Sequence, residues 1–328
     1  MFIHKTLLPG AGPCGRQIAL VLALLLAHIL SLPAQNSLAE RLGYPAGTKL
    51  LILHADDLGV AHAENQASFA ALQAGPVNSA SIMVPCPWLP EVARFARATP
   101  GVDLGLHLTL TSEWRDYKWS PTAPRDSVSS LVDSLGYFYD NCADMAKYAR
   151  LGDIERELRA QIQKALAMGI RPTHLDSHMG CLFFNVEHPE YLALYLRLGR
   201  EFGIPAMIAQ NMIEQFPETL RKVVGPKDLV VDNVVTAAPE DFKNGMAAYY
   251  ERTLRGLKPG INVLLMHLAY QGAEMEGVAV EHPDWGAEWR QADFDYFSSE
   301  ACRKTLAETG IRLITWREVG QLMKRTGE

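Results

Sequence analysis

The chain has 328 residues, 48% of them hydrophobic, with 25 glycines, 19 prolines and a formal net charge of -6. Such a composition is globular and long enough for one large α/β domain or two smaller ones. The negative balance and the lack of any Lys/Arg-rich run argue against a nucleic-acid partner.

Residues 1–34 read as an address label rather than as fold. A weakly basic start (His4, Lys5, Arg16) precedes an apolar run over residues 18–30. That run is too short, and too soon followed by Pro33, to span a bilayer comfortably. A secretory signal peptide is expected, with cleavage points at Ala34 or Ala39, leaving an exported protein (periplasmic or secreted) with no stable membrane span. An uncleaved N-terminal anchor is the alternative. Cys86, Cys142, Cys181 and Cys302 then remain, widely spaced and with no CxxC pair. A thiolate zinc site therefore has no support, while one disulfide is allowed.

The first strand begins at Leu50, where four apolar residues run into His54-Ala55-Asp56-Asp57-Leu58-Gly59. This pattern predicts a buried parallel strand that opens into a polar mouth. Adjacent strand residues face opposite sides, so Asp56 and Asp57 converge only if the strand is ending there. Neighbouring carboxylates are costly unless a cation or a proton separates their roles. One reading is a metal site, with one carboxylate as ligand and the other free to move protons; the other is a solvated Asp-Asp-Gly loop.

A helix over 64–74, stopped by Gly75-Pro76, leads to a short strand over 77–84 and a second helix over 89–98. A strand over 102–111 carries His107. Residues 112–150, rich in Trp, Tyr, Ser, Asp and Pro, have no sustained period and read either as a lid or substrate wall or as an Ω-loop over a barrel end. An amphipathic helix covers 154–168. Thr173-His174-Leu175-Asp176-Ser177-His178 falls where the next strand should end. A helix over 189–202, a short strand over 206–209, a strand over 229–235 and a helix over 239–256 follow, with 211–228 ambiguous. The apolar run 261–266 ends in His267. Residues 270–295 form a second, acidic, Trp-bearing insertion, before a helix over 299–309, a strand over 311–315 and a terminal helix. Aromatic residues over 112–140 and 285–297 are expected to give a stacking wall for a ligand.

Strand then helix, repeated without a linker-like break, predicts a single α/β domain over 48–320, an irregular (β/α) TIM-like barrel. A doubly wound open sheet is the alternative, but no GxGxxG follows the first strand, so a dinucleotide site has no support. In parallel β/α folds the C-terminal strand ends share one mouth. Here four separate apolar strands deliver His or Asp to that mouth. Asp57, His107 and His178 would leave open coordination positions, which suits a catalytic divalent metal. Imidazole with carboxylate fits Zn, Fe, Co, Ni or Mn.

At these residues the chain resembles the YdjC/ChbG-like carbohydrate deacetylases, a branch near the NodB-type polysaccharide deacetylases. The resemblance rests on His54–Gly59, on Asn65, on Gly75-Pro76-Val77-Asn78-Ser79-Ala80-Ser81, on Gly105-Leu106-His107-Leu108-Thr109 and on Arg171 through His178. It implies a divalent cation, zinc or magnesium first, and hydrolysis of the N-acetyl group of an acetylated sugar or oligosaccharide. It implies Asp57, His107 and His178 as metal ligands, Asp56 as general base, and His267 as general acid through an imidazolium. His54, Asn65, His174 and Asp176 are expected to line the substrate, and a homodimer is an expectation of the resemblance alone. The chain departs from the family at Met179-Gly180-Cys181, where further histidines are usual, and at His267-Leu268, where His-Pro is usual. His282-Pro283 has no apolar strand before it, which favours His267. A metal-dependent hydrolase of another amide, ester or phosphoester stays open, as does a catalytically silent carbohydrate-binding barrel.

Overall fold

Seven strands are present among the described residues: β1 (Lys49–Leu58), β2 (Ser79–Ile82), β3 (Leu104–Leu108), β4 (Leu175–Ser177), β5 (Asn233–Val235), β6 (Gly260–Met266) and β7 (Arg312–Leu313). In this computed structural model, which describes residues 37–325, they run in the order β4-β3-β2-β1-β6-β5. Every pairing between them is parallel. β1 is the central stave. Its residues from Leu50 to Leu58 are all buried, as a strand that opens on four apolar residues and is covered on both faces requires. β7 pairs with Leu50 and Leu51, while β2 takes the same edge further on, from His54.

Single parallel bridges, Leu175 to Ala206 and Ala209 to Val231, carry the ring from β4 back towards β5. The expected strand over 206–209 thus exists as two bridges, and the strand expected over 229–235 is regular only at its end. The barrel is closed but irregular, in agreement with the expected fold. Residues from Leu38 onward form one unit. The expected signal segment, 1–34, lies outside the described residues, among which no helix is long and apolar enough to cross a membrane.

Helices cover the outside through apolar stripes. Leu151–Ala167 buries Ile154, Leu158, Ile162 and Ala165, one face of a 3.6-residue period. The helix expected over 239–256 is two, Pro239–Lys243 and Met246–Gly256. Gly245 separates them at φ 100, a left-handed conformation that glycine adopts without steric cost.

Both insertions are built structure. Residues 112–150 contain a 3-10 turn (Arg125–Leu131) and a helix (Cys142–Tyr148), fastened by a polar row on Leu151–Ala167. The Glu157 carboxylate accepts from the Thr122 and Ala123 N–H groups, each at 2.8 Å, and Asp153 accepts from the Ser130 N–H and hydroxyl at 3.2 and 2.8 Å. Gln161 closes both backbone groups of Thr109. Trp114 and Trp119 are each 3% exposed and belong to the core. Residues 270–295 form the helix Ala273–Val278 and most of Ala287–Ser298, with Trp289 buried between Phe242 and Trp285. Of the aromatic residues expected in a stacking wall, Trp114, Trp119 and Trp289 instead fill space inside the fold, while Tyr137 is exposed. One disulfide joins Cys142 to Cys181, and Cys86 and Cys302 are buried free thiols.

Candidate metal centre

Asp56 and Asp57 converge because β1 is irregular at that point. Its register with β2 shifts between Ala55 and Leu58, and Asp57 has φ 70. A left-handed non-glycine residue inside a strand turns one side chain out of the alternation. Gly59 completes the turn at φ 101, where a Cβ would lie 3.1 Å from the Met83 carbonyl oxygen. The Gly59 N–H donates to Asn65 Oδ1 at 2.8 Å, and the Asn65 amide donates to Glu91 Oε2 at 2.9 Å.

The two carboxylates have separate surroundings. Asp57 Oδ2 accepts from Arg290 Nη2 at 2.8 Å, whereas Asp57 Oδ1 is buried and has no hydrogen-bond partner. That oxygen lies 3.4 Å from His107 Nε2 and 3.5 Å from His178 Nδ1. The other nitrogen of each imidazole is held by a carboxylate: Asp176 Oδ1 at 2.6 Å from His107 Nδ1, and Glu113 Oε2 at 2.9 Å from His178 Nε2. Backing of this kind fixes ring orientation in metal-ligating histidines. An orphan carboxylate oxygen facing two oriented imidazole nitrogens fits a divalent cation, so Asp57, His107 and His178 are brought together as expected.

Asp56 Oδ1 accepts from Ser81 Oγ at 3.0 Å and lies 2.9 Å from His54 Nε2. Its Oδ2 is 4.0 Å from His267 Nε2, which is also 3.9 Å from Asp57 Oδ2. His267 thus joins the site, and its backbone N–H donates to Asp293 Oδ2 at 3.0 Å.

Burial raises the Asp57 carboxyl, but the Arg290 guanidinium, with His178 and His267, holds it well below the usual carboxylate range. Burial opposes charge on His178, yet Glu113 and Asp57 push it up to about 10. Burial pushes His267 down to about 4, against the pull of Asp57. His267 is therefore neutral at neutral pH, and the imidazolium expected from the sequence forms only after it takes up a proton.

The four residues expected to line the substrate sit deeper. Asp176 is fully buried and bridges His107 to His54, whose other nitrogen meets Ser79 Oγ at 2.9 Å. Asn65 is fully buried behind the Gly59 turn. His174 is fully buried against Trp316, its Nδ1 3.0 Å from Thr173 Oγ1. These side chains hold the site in shape from beneath rather than presenting a surface to a ligand.

Arg290 and Glu113 were not visible as site residues in the sequence. Arg290 is 1% exposed, donates to Asp57 and Glu64, and sends Nε to the Trp285 carbonyl at 2.7 Å. Only the arginine's place among acidic and aromatic neighbours (Trp289, Asp293) could have hinted at burial.

A profile of the YdjC-like protein family matches residues 50–308. A carbohydrate deacetylase of Thermus thermophilus is 32% identical over 295 residues, spanning 87% of this chain and 99% of the relative. One from Thermoanaerobacter pseudethanolicus is 25% identical over 236 residues, spanning 71% of this chain and 86% of the relative. Among solved structures, a candidate cellobiose-phosphate cleavage protein of Enterococcus faecalis matches with a TM-score of 0.67 at 22% identity, over 83% of this chain and 99% of that one; this likeness is one of fold.

Proposed function

The chain belongs to the YdjC-like family, and from that premise we propose that it is a divalent-metal-dependent carbohydrate deacetylase. It hydrolyses a C–N bond, converting the N-acetyl group of an oligosaccharide or glycoconjugate into acetate and a free amine. The observation that carries the metal dependence is the orphan Asp57 Oδ1 between His107 Nε2 and His178 Nδ1. A cation held there would polarise the acetyl carbonyl and acidify water. Asp56 takes the proton released as water oxygen bonds to the acetyl carbon, and it is held for that task by Ser81 and His54. His267, neutral at rest and 4.0 Å from Asp56 Oδ2, relays that proton to the departing nitrogen as the C–N bond breaks.

The test is acetate release from acetylated chitooligosaccharides, with and without a chelator, alongside metal content of the purified protein. Asp57→Asn keeps a partner for Arg290 while weakening the ligand; it is expected to lose metal and at least about 2.7 kcal/mol of barrier lowering, a hundredfold in rate. Full activity in that variant would sink the metal role.

The turn after His178 favours a second reading. It departs from the resemblance at Met179-Gly180-Cys181, with Met179 47% exposed. The acyl substrate is then a different amide or an ester, which a panel of such compounds separates from acetylated sugars.

Export belongs to the same reading. The basic start and apolar run over 18–30 support it, as does the Cys142–Cys181 disulfide, since such bonds persist in oxidising compartments. N-terminal sequencing of the protein from fractionated cells tests it: an intact N-terminus on cytosolic protein would reject processing.

A further inference from the structure

His178 opens a turn of unusual backbone. Met179 has φ 54 and Gly180 φ 68, so two consecutive residues are left-handed, one of them not glycine. A non-glycine residue stays there only where its surroundings over-determine it. At this turn much of the surroundings comes from the 112–150 insertion and the residue just before it. Cys142, first residue of the helix Cys142–Tyr148, is bonded to Cys181, three positions after His178. Its sulfur also lies 3.6 Å from the Met179 carbonyl oxygen. The strand end just before the insertion supplies Thr111, whose hydroxyl donates to Met179 Sδ at 3.4 Å. The insertion's first residues supply Glu113, 2.9 Å from His178 Nε2, and Trp119, whose ring centroid is 6.3 Å from that of His178. Both ends of the insertion therefore converge on one histidine, and the disulfide is the covalent tie between its far end and the turn.

We infer that the Cys142–Cys181 disulfide is a positioning crosslink for His178, holding the imidazole at the metal site. This rests on the metal-dependent reading above. The bond joins residues 39 positions apart and closes a loop that contains Leu151–Ala167 and β4. Without it, the turn after His178 loses its covalent tie to the insertion, and Glu113 and Trp119 alone hold Nδ1 less firmly facing Asp57. Dithiothreitol supplies two electrons and two protons, converting the disulfide to two thiols while the reagent becomes its own cyclic disulfide.

The experiment compares zinc affinity of the folded, oxidised protein with that of the same protein after native reduction, by competition with a chromophoric chelator. Alkylation and mass spectrometry verify the thiol state, and far-UV circular dichroism verifies the fold. Reduction is expected to weaken zinc binding at least about tenfold, the scale seen when groups that orient a ligand are removed, with the circular dichroism spectrum unchanged. Acetate release should then show a lowered kcat at limiting zinc, restored at saturating zinc, with KM unchanged. The Cys142→Ser/Cys181→Ser variant should match the reduced protein. Zinc affinity unchanged within twofold overturns the inference, even if thermal stability falls. Global unfolding on reduction overturns it as well, because the bond would then be holding the fold rather than the histidine. A wild-type protein that binds no divalent cation overturns the functional reading and this inference together.

Discussion

At the scale of residues, the site is a set of buried charges whose partners were unequally visible. Asp56, Asp57, His107 and His178 stood out because each interrupts or ends an apolar strand, where a polar side chain must have a reason. Arg290 gave no such signal: its partners Glu64 and Asp57 lie 226 and 233 positions away, and no local pattern encodes that distance. Its removal is a strong test. Arg290→Met would leave Asp57 and Glu64 buried without their cation, and breaking a buried ion pair in this way costs roughly 3–5 kcal/mol. Urea unfolding should show that loss, and adding Glu64→Gln to Arg290→Met should recover part of it, since burial already pushes Glu64 well above the usual range against the pull of Arg290. A loss below about 1 kcal/mol, the scale of an exposed pair, would contradict the buried network. Glu113 makes a second, separable case. It touches His178 on the side away from Asp57, so Glu113→Ala should weaken divalent-metal binding by about 10–100-fold. A chelator competition that returns the wild-type affinity would rule out its orienting role.

At the scale of elements, strand and helix periods were legible, and the order of the insertions was not. Residues 112–150 lack a period because their order comes from elsewhere, from Asp153, Glu157 and Gln161 on Leu151–Ala167. On that helix the three residues read as the ordinary polar face of an amphipathic segment, yet all three are buried. The place of Trp114 and Trp119 is hidden for the same reason: expected in a stacking wall, they pack edge-to-face at 5.8 Å inside the fold. The Asp-Asp pair was read as a strand end, whereas β1 continues to Leu58 through an irregular register and a left-handed Asp57. No single-sequence pattern announces such a bulge. The fastening can be tested at Glu157, which accepts from two backbone N–H groups at once. Glu157→Ala leaves the buried Ala123 N–H without a partner, at about 1–3 kcal/mol, and frees the half-buried Thr122 N–H to water. Hydrogen exchange should rise across the Thr122 and Ala123 region while β1 and β6 stay protected. Uniform loss of protection through the barrel would mean the insertion is not a separable unit.

For the whole molecule, ring closure was the least legible feature, because the staves between β4 and β5 are single bridges rather than alternating strands. Closure packs ionisable groups into an interior that favours one protonation state of each, and the pH dependence of stability follows. Burial pushes Asp293 up to about 7. A carboxyl with a raised folded pKa contributes stability that is whole below its ordinary value of about 4 and is lost as pH rises through 7. His54 acts in the same sense at higher pH: burial opposes its charge, but Asp176 and Asp56 push it up to about 10. Its contribution is whole below about 6.5 and is lost as pH rises through 10. Asp57, held low by Arg290, works the other way and loses its contribution only in acid. Several of these groups bend the stability curve between about pH 5 and 8, so the Asp293 contribution is isolated by comparing a variant that cannot ionise with wild type. Asp293 accepts from the Tyr250 hydroxyl at 2.8 Å and from the His267 N–H at 3.0 Å. Asp293→Asn keeps an acceptor for the His267 N–H, offers a donor to the Tyr250 oxygen, and cannot ionise. The melting temperature of the variant should therefore rise relative to wild type as pH is taken from 5 to 7, and level off above about 7. A difference that stays flat across that range would mean that Asp293 is already ionised in the folded chain and that its two donors, Tyr250 and the His267 N–H, suffice to hold the charge.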